Sequence, residues 1–222
     1  MPIWTLLILL LCSHLDEGHL LAQDTNKNDT VATPFKKGRW LSGLNGSFSS
    51  NVLKLDTRDE LISTNSYGLQ IFTGIFFRER WFAGINVLAI SNNGSGLIER
   101  ESESLVIGPS VSHFFLKEPY GSLYVSLLPG YIRIREENIV GIGNQISRQT
   151  MKGPGFTTRI RLGYSYVISK RIILDVGVGT QFAWLDVSYK SDIEETVFEE
   201  SIFSNATFFS FGFNVLLDEF FF

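Results

Sequence analysis

The chain carries a single cysteine, Cys12, which excludes an intrachain disulfide and a cysteine zinc cluster. Histidine is almost as scarce: His14 and His19 lie near the start, and His113 stands alone in the remainder. There is no phosphate loop, no dinucleotide fingerprint and no internal repeat beyond a hairpin period. A strong excess of one charge is also missing. The formal net charge is −4, or about −2 without Asp16 and Glu17 of the leader described next, so nothing points to nucleic acid. The apolar run Ile3–Leu11, broken only by Thr5, is too short for a transmembrane helix, which needs roughly 20 residues.

That run suits the hydrophobic region of an export signal, with cleavage near Ala22 or Gln23. Leu9-Leu10-Leu11 lacks the small residues expected before a lipidated cysteine, so Cys12 is not read as a lipid anchor. The sequence therefore divides into a signal peptide at 1–23, a polar and flexible lead-in at 24–38, and a barrel domain at 39–222.

What the chain has in quantity is aromatics and glycine: 19 Phe, 4 Trp, 7 Tyr and 20 Gly, a mixture that favours β structure. The stretch Tyr67–Ala89 shows its form. Tyr67, Leu69, Ile71, Thr73, Ile75 and Phe77 fall on one face, and Gly68, Gln70, Phe72, Gly74 and Phe76 on the other. After Arg78-Glu79-Arg80 the alternation resumes, with Trp81, Ala83, Ile85, Val87 and Ala89 opposite Phe82, Gly84, Asn86 and Leu88. Strand side chains alternate between faces, so this is a hairpin with one apolar face.

Comparable patterns predict further strands at 39–50, 104–116, 122–133, 155–167, 171–184 and 206–217. The stretches 51–65, 91–103, 134–154 and 185–206 read as long polar loops, and those after the second, fourth and sixth strands as short turns. The fold class that results is all-β: an eight-stranded antiparallel up-and-down transmembrane β-barrel. Closure removes the strand edges that lipid would not tolerate. Trp40, Tyr67, Phe77, Trp81, Phe115, Tyr131, Phe156, Tyr166 and Trp184 are candidate girdle residues at strand ends. A soluble lipocalin-like barrel is the alternative; it would turn the apolar faces inward.

On the sixth strand the face opposite Phe156, Ile160, Leu162, Tyr164 and Tyr166 carries Arg159 and Arg161. In a narrow barrel that face points into the lumen. Asp175 lies on the same face across a short turn, which predicts a buried Arg161–Asp175 contact. Arg159, Gln181, Gln70, Asn86 and Asn214 are expected to share this structural polar network. A polar conduit is the alternative use of the same residues.

No catalytic, cofactor or metal site is expected. Ser112 adjoins His113, but strand neighbours point to opposite faces, and Ser110 also faces away. The acidic pairs Glu136-Glu137, Glu194-Glu195 and Glu199-Glu200 could hold a divalent cation but read as solvated surface. The Asn-X-Ser/Thr triplets at Asn28, Asn45, Asn93 and Asn205 match the glycosylation acceptor pattern but are given no weight here.

Gly74–Phe77 with Trp81–Ile85, and Ile107–Phe115 with its Gly108-Pro109 pair, resemble the small outer-membrane β-barrel proteins of the Bacteroidota. The pattern is more loosely similar to OmpA/OmpX-like eight-stranded barrels. The resemblance covers residues 39 to the C-terminus and implies export to the outer membrane by the barrel-assembly machinery. An aromatic C-terminal residue is usual in such barrels, and Phe222 fits, although Asp218-Glu219 separates it from the last strand. The function expected is non-enzymatic: a structural, adhesion or ligand-binding role through extracellular loops. A small channel and a lipid-modifying enzyme are the alternatives. Outer-membrane lipid, the assembly machinery and an extracellular ligand are the expected partners of a monomer.

Overall fold

The computed structural model describes residues 33–55, 60–95, 98–142, 145–169, 171–191 and 197–218. Eight strands make up these residues: β1 Trp40–Leu55, β2 Glu60–Arg78, β3 Trp81–Ser95, β4 Ile98–Phe114, β5 Gly121–Ile142, β6 Gln145–Ser169, β7 Ile172–Ser191 and β8 Val197–Leu217. Each pairs antiparallel with its neighbour in sequence, and β1 pairs with β8, closing the sheet. Paired residues lead once round from Phe48 through Phe209, Val178, Leu162, Val125, His113 and Trp81 to Arg78, past Ile75, the partner of β1's first residue Trp40. The strands are therefore staggered and must tilt, as barrel closure requires.

The alternation in sequence becomes inside and outside. Leu69, Ile71, Ile85, Val87, Ile107, Leu127, Leu162, Val178 and Phe211 are exposed on the outer wall, forming a continuous apolar belt. At the tip side of the belt, Tyr131, Phe156, Trp184 and Phe203 stand in one paired row across β5–β8. Trp184 lies 6.2 Å from Phe156 and 5.4 Å from Phe203 between ring centres. Phe77, Trp81 and Phe115 are exposed at the opposite margin, beside the turns. An apolar band between two aromatic girdles, on a closed barrel without free edges within it, is the dressing of an outer-membrane protein, and this chain is one.

The structure corrects the loops. The strands are 15 to 25 residues long and run through most of 51–65, 91–103, 134–154 and 185–206. Above the belt the outer wall turns polar, with Glu101, Glu103, Arg133, Arg135, Lys152 and Asp186 exposed. The barrel wall thus continues past the lipid band. Its ladders are unequal there: the described β1–β8 pairing stops at Phe48↔Phe209, and Val197–Thr207 of β8 pairs with β7 alone.

The lead-in is also corrected where it is described. Phe35 is fully buried and stacks on Phe114 at 4.2 Å between ring centres, inside a cluster with Leu41, Phe72, Phe76, Phe82 and Ile173. Arg80 donates its backbone N–H to the Phe35 carbonyl at 2.8 Å, and Gly38 donates to the Phe76 carbonyl at 2.8 Å. Gly38 has φ 88°, a conformation natural to glycine, which lets the chain turn into β1. The segment therefore stoppers the turn end of the barrel. The expected signal peptide at 1–23 and the terminal Phe222 lie outside the described residues.

Candidate functional site

Three layers fill the lumen. The Phe35 cluster occupies the turn end, and a second apolar cluster of Leu88, Val106, Leu128, Ile132, Leu185 and Val187 lies toward the tips. Between them is a polar waist. Its inward positions follow directly from the period of two, because the alternate residues face the belt.

One half of the waist centres on Asp175, which is 5% exposed. Ser165, directly opposite it in the β6–β7 register, donates its hydroxyl to Oδ1. Asn214 donates Nδ2–H to Oδ2 at 2.5 Å. Arg161 Nη2 lies 3.9 Å from Oδ2. Arg161 is paired across the ladder with Gly179, so its long side chain reaches down the lumen to the carboxylate. The Asn45 amide completes the group when its oxygen accepts from Arg161 Nη1 at 2.8 Å and its nitrogen donates to Asn214 Oδ1 at 3.2 Å. Arg161 also lies over the Tyr124 ring at 5.0 Å. Space here is exhausted: a Cβ at Gly212 would land on the Asn45 amide, and one at Gly43 on that of Asn214.

The other half is a chain of neutral groups. Gln70 donates to Asn86 Oδ1, and Asn86 donates Nδ2–H to Ser110 Oγ at 2.5 Å. Arg159 belongs to neither half. It is 6% exposed, its guanidinium carbon lies 3.8 Å above the centre of the Phe208 ring, and Nη1 has no hydrogen-bond partner among the described residues. Gln181 faces Arg159 in the ladder and is half-buried.

The structure thus brings Arg161, Asp175 and Asn214 together, joins Gln70 to Asn86 separately, and leaves Arg159 and Gln181 at the upper edge. Sequence reasoning missed Asn45, Ser110 and Ser165. Asn45 and Ser110 share the inward face with residues already chosen. Ser165 needed the register, which is shifted by an irregularity between Val167 and Ser169.

The remaining candidates are dispersed. His113 faces outward between Trp81, at 4.4 Å, and Phe115, at 4.9 Å between ring centres, while Ser110 and Ser112 are buried inward. Glu136 is buried in the lumen and accepts from Asn138 Nδ2 at 2.9 Å, whereas its neighbour Glu137 points out and pairs with Arg135 at 2.6 Å. Glu199 and Glu200 are exposed on β8, and Glu194-Glu195 lie outside the described residues.

No protein-family model matches the chain, and no curated protein sequence does either. Among solved structures it is similar to the outer membrane protein OprG from Pseudomonas aeruginosa, at 10% identity and TM-score 0.46, over 83% of this chain and 99% of that one. It is also similar to Ail, the attachment invasion locus protein of Yersinia pestis, at 13% identity and TM-score 0.43, over 82% and 99%. Neisserial surface protein A aligns at 13% identity and TM-score 0.40, over 82% and 97%.

Proposed function

We propose that the chain is a non-enzymatic, non-conducting barrel that acts through the wall it raises beyond the apolar belt, binding or shielding at the cell surface. The observation that carries this reading is the filled lumen: apolar clusters lie on both sides of a hydrogen-bonded waist. Eight strands enclose an interior just wide enough for side chains or one small ligand, too narrow for an open channel. The surface left for a partner is the prolonged wall, with its exposed charges such as Glu103, Arg133, Lys152 and Asp186. Short turns facing the periplasm would direct that wall outward. Lipid of the outer leaflet, the barrel-assembly machinery and an extracellular ligand are the partners of this reading, with the barrel acting as a monomer. Origin in the Bacteroidota belongs to the same proposal and rests on the resemblance of residues 74–85 and 107–115. The opposed directions of His113 and its neighbouring serines support a non-enzymatic role.

Planar-bilayer recording tests it. The wild-type protein should give no stepwise conductance, and cells displaying it should lose surface binding when 134–154 is replaced by a two-residue turn. Reproducible conductance steps from the wild type would overturn the reading in favour of a small channel.

A further inference from the structure

Above the waist the lumen contains a space of about 110 Å³ to which all eight strands contribute. It is lined by Arg159 and by neutral donors that include Ser47, Ser49, Ser66, Ser104 and Gln181, with no carboxylate among the lining residues. A water needs roughly 10–15 Å³ measured this way, so the space accommodates a small ion with several waters.

Arg159 is the one charged side chain among the residues lining the space. Within the waist, Asp175 is engaged by Arg161, Ser165 and Asn214. Glu136, the buried carboxylate nearer the tips, is bonded to Asn138. Arg159 has no ion pair among the described residues, and its Nη1 makes no hydrogen bond. Its stacking on Phe208 covers one face of the guanidinium, and of the in-plane donors Nη1 is left without a partner among the described residues. Phe208 is itself held in place: a Cβ at the facing Gly179 would meet its ring at 2.5 Å. A buried guanidinium without a counter-charge is costly, and a cation in a low-dielectric enclosure concentrates anions. Ser204 and Ala206 line the space and are exposed where the β1–β8 ladder has already ended.

We infer that this space is a binding site for a small inorganic anion, a halide or an orthophosphate-sized oxyanion, held by the Arg159 guanidinium and the surrounding serine hydroxyls. Neither ion would cross the barrel from here, because the waist and the Phe35 cluster lie below.

The test uses the full-length protein refolded in zwitterionic detergent. Calorimetric titrations with sodium chloride and with sodium phosphate, each against gluconate at equal ionic strength, separate halide from oxyanion. Saturable binding of at least one is expected. Arg159→Gln should weaken it at least tenfold, Arg159→Lys should retain part of it, and Arg133→Gln, on the outer wall, should leave it unchanged. Should Arg159→Gln fail to show the folded, heat-modifiable band, Ser49→Val with Ser104→Val provides the second comparison, with the same tenfold loss expected. No saturable binding of either anion by the folded wild type would overturn the assignment. Equal binding by the wild type and folded Arg159→Gln, or by the serine pair variant if Arg159→Gln does not fold, would do the same.

Discussion

Asn214 on β8 donates a hydrogen bond to Asp175 on β7 at 2.5 Å, and on the same carboxylate oxygen converges the Arg161 guanidinium from β6. Three neighbouring strands are tied through one acid that water barely reaches. Asp175→Ala should therefore do more than delete a contact. It strands Arg161 in the lumen and removes the acceptor of both Ser165 and Asn214. Losing one partner of a buried pair costs about 3–5 kcal/mol, whereas replacing both with apolar groups can be close to neutral. Urea unfolding in lipid vesicles should show a fall of that size for Asp175→Ala. It should be smaller for Asp175→Leu combined with Arg161→Leu. A single variant as stable as the wild type would mean that the carboxylate is not the tie.

Phe35 calls for a second substitution. It lies in a segment whose sequence is polar and reads as a lead-in, yet it is buried completely against Phe76 and Phe114. Removing a buried phenylalanine side chain costs about 3–5 kcal/mol where the cavity cannot collapse. Phe35→Ala should lower stability toward that range and make the segment near Lys36 and Lys37 sensitive to trypsin. Resistance equal to that of the wild type would show that the backbone bonds from Arg80 and Gly38 hold the segment without the ring.

These two cases mark what the sequence could and could not tell. The belt was legible because lipid enforces it. Leu69, Ile71, Ile85 and Val87 must be apolar, and the period of two then assigns Gln70 and Asn86 to the lumen. Above the belt no such demand exists: the outer face turns polar while Ile132, Met151, Leu185 and Val187 keep the inner face apolar, so a rule that looks for an apolar lipid face finds no strand there. Asn93-Gly94 looks like turn chemistry, yet Asn93 pairs with Glu101 and Gly94 with Arg100 inside a regular ladder. Phe35 is one aromatic without periodic companions and gives no signal. Arg161 and Asp175 were legible as inward charges, but the identity of the third and fourth members depended on register. A shift at one turn moves every pairing beyond it.

Gly74 and Gly84 face each other across β2 and β3, with the Phe82 ring laid over them. A Cβ at Gly84 would meet the tip of that ring at 2.7 Å and crowd the Thr73 carbonyl. Overpacking of this kind costs about 1–3 kcal/mol. Gly84→Ala should lower the unfolding free energy by that amount. Gly38→Ala, where nothing lies within 4 Å of the added carbon but φ is 88°, tests backbone strain alone. Comparing their chemical-denaturation midpoints separates crowding from strain. An unchanged midpoint for Gly84→Ala would show that the ring moves aside freely.

Glu137 lies on the outer wall above the belt, where the hydrogen bond and charge of Arg135 hold its carboxyl below the ordinary value of 4.5. A depressed value in the folded state means that the interaction is present above the ordinary value and fades as pH falls through the lowered one. Carbon-detected NMR titration should place the Glu137 midpoint below 4.5, and Arg135→Gln should return it upward. The pair stands on the wet outer wall, so the midpoint should move while global stability hardly changes. An unmoved midpoint in Arg135→Gln would assign the shift to other cations.

The most direct separation of lipid-facing wall from protein core is a charge at Ile85. This side chain is 63% exposed at the middle of β3's apolar face, between Ala83 and Val87. Facing water, an arginine there would matter little, since exposed positions tolerate substitution. Facing hydrocarbon, it should cost about 2–4 kcal/mol at the bilayer midplane and near 0–1 at the margin. Ile85→Arg should therefore destabilise the protein strongly in vesicles. Asn93→Arg, exposed on the same strand above the belt, should be almost silent. Both should be milder in detergent micelles, which deform around a charge. Equal effects at the two positions in vesicles would remove the lipid belt from this face and with it the transmembrane placement of β3.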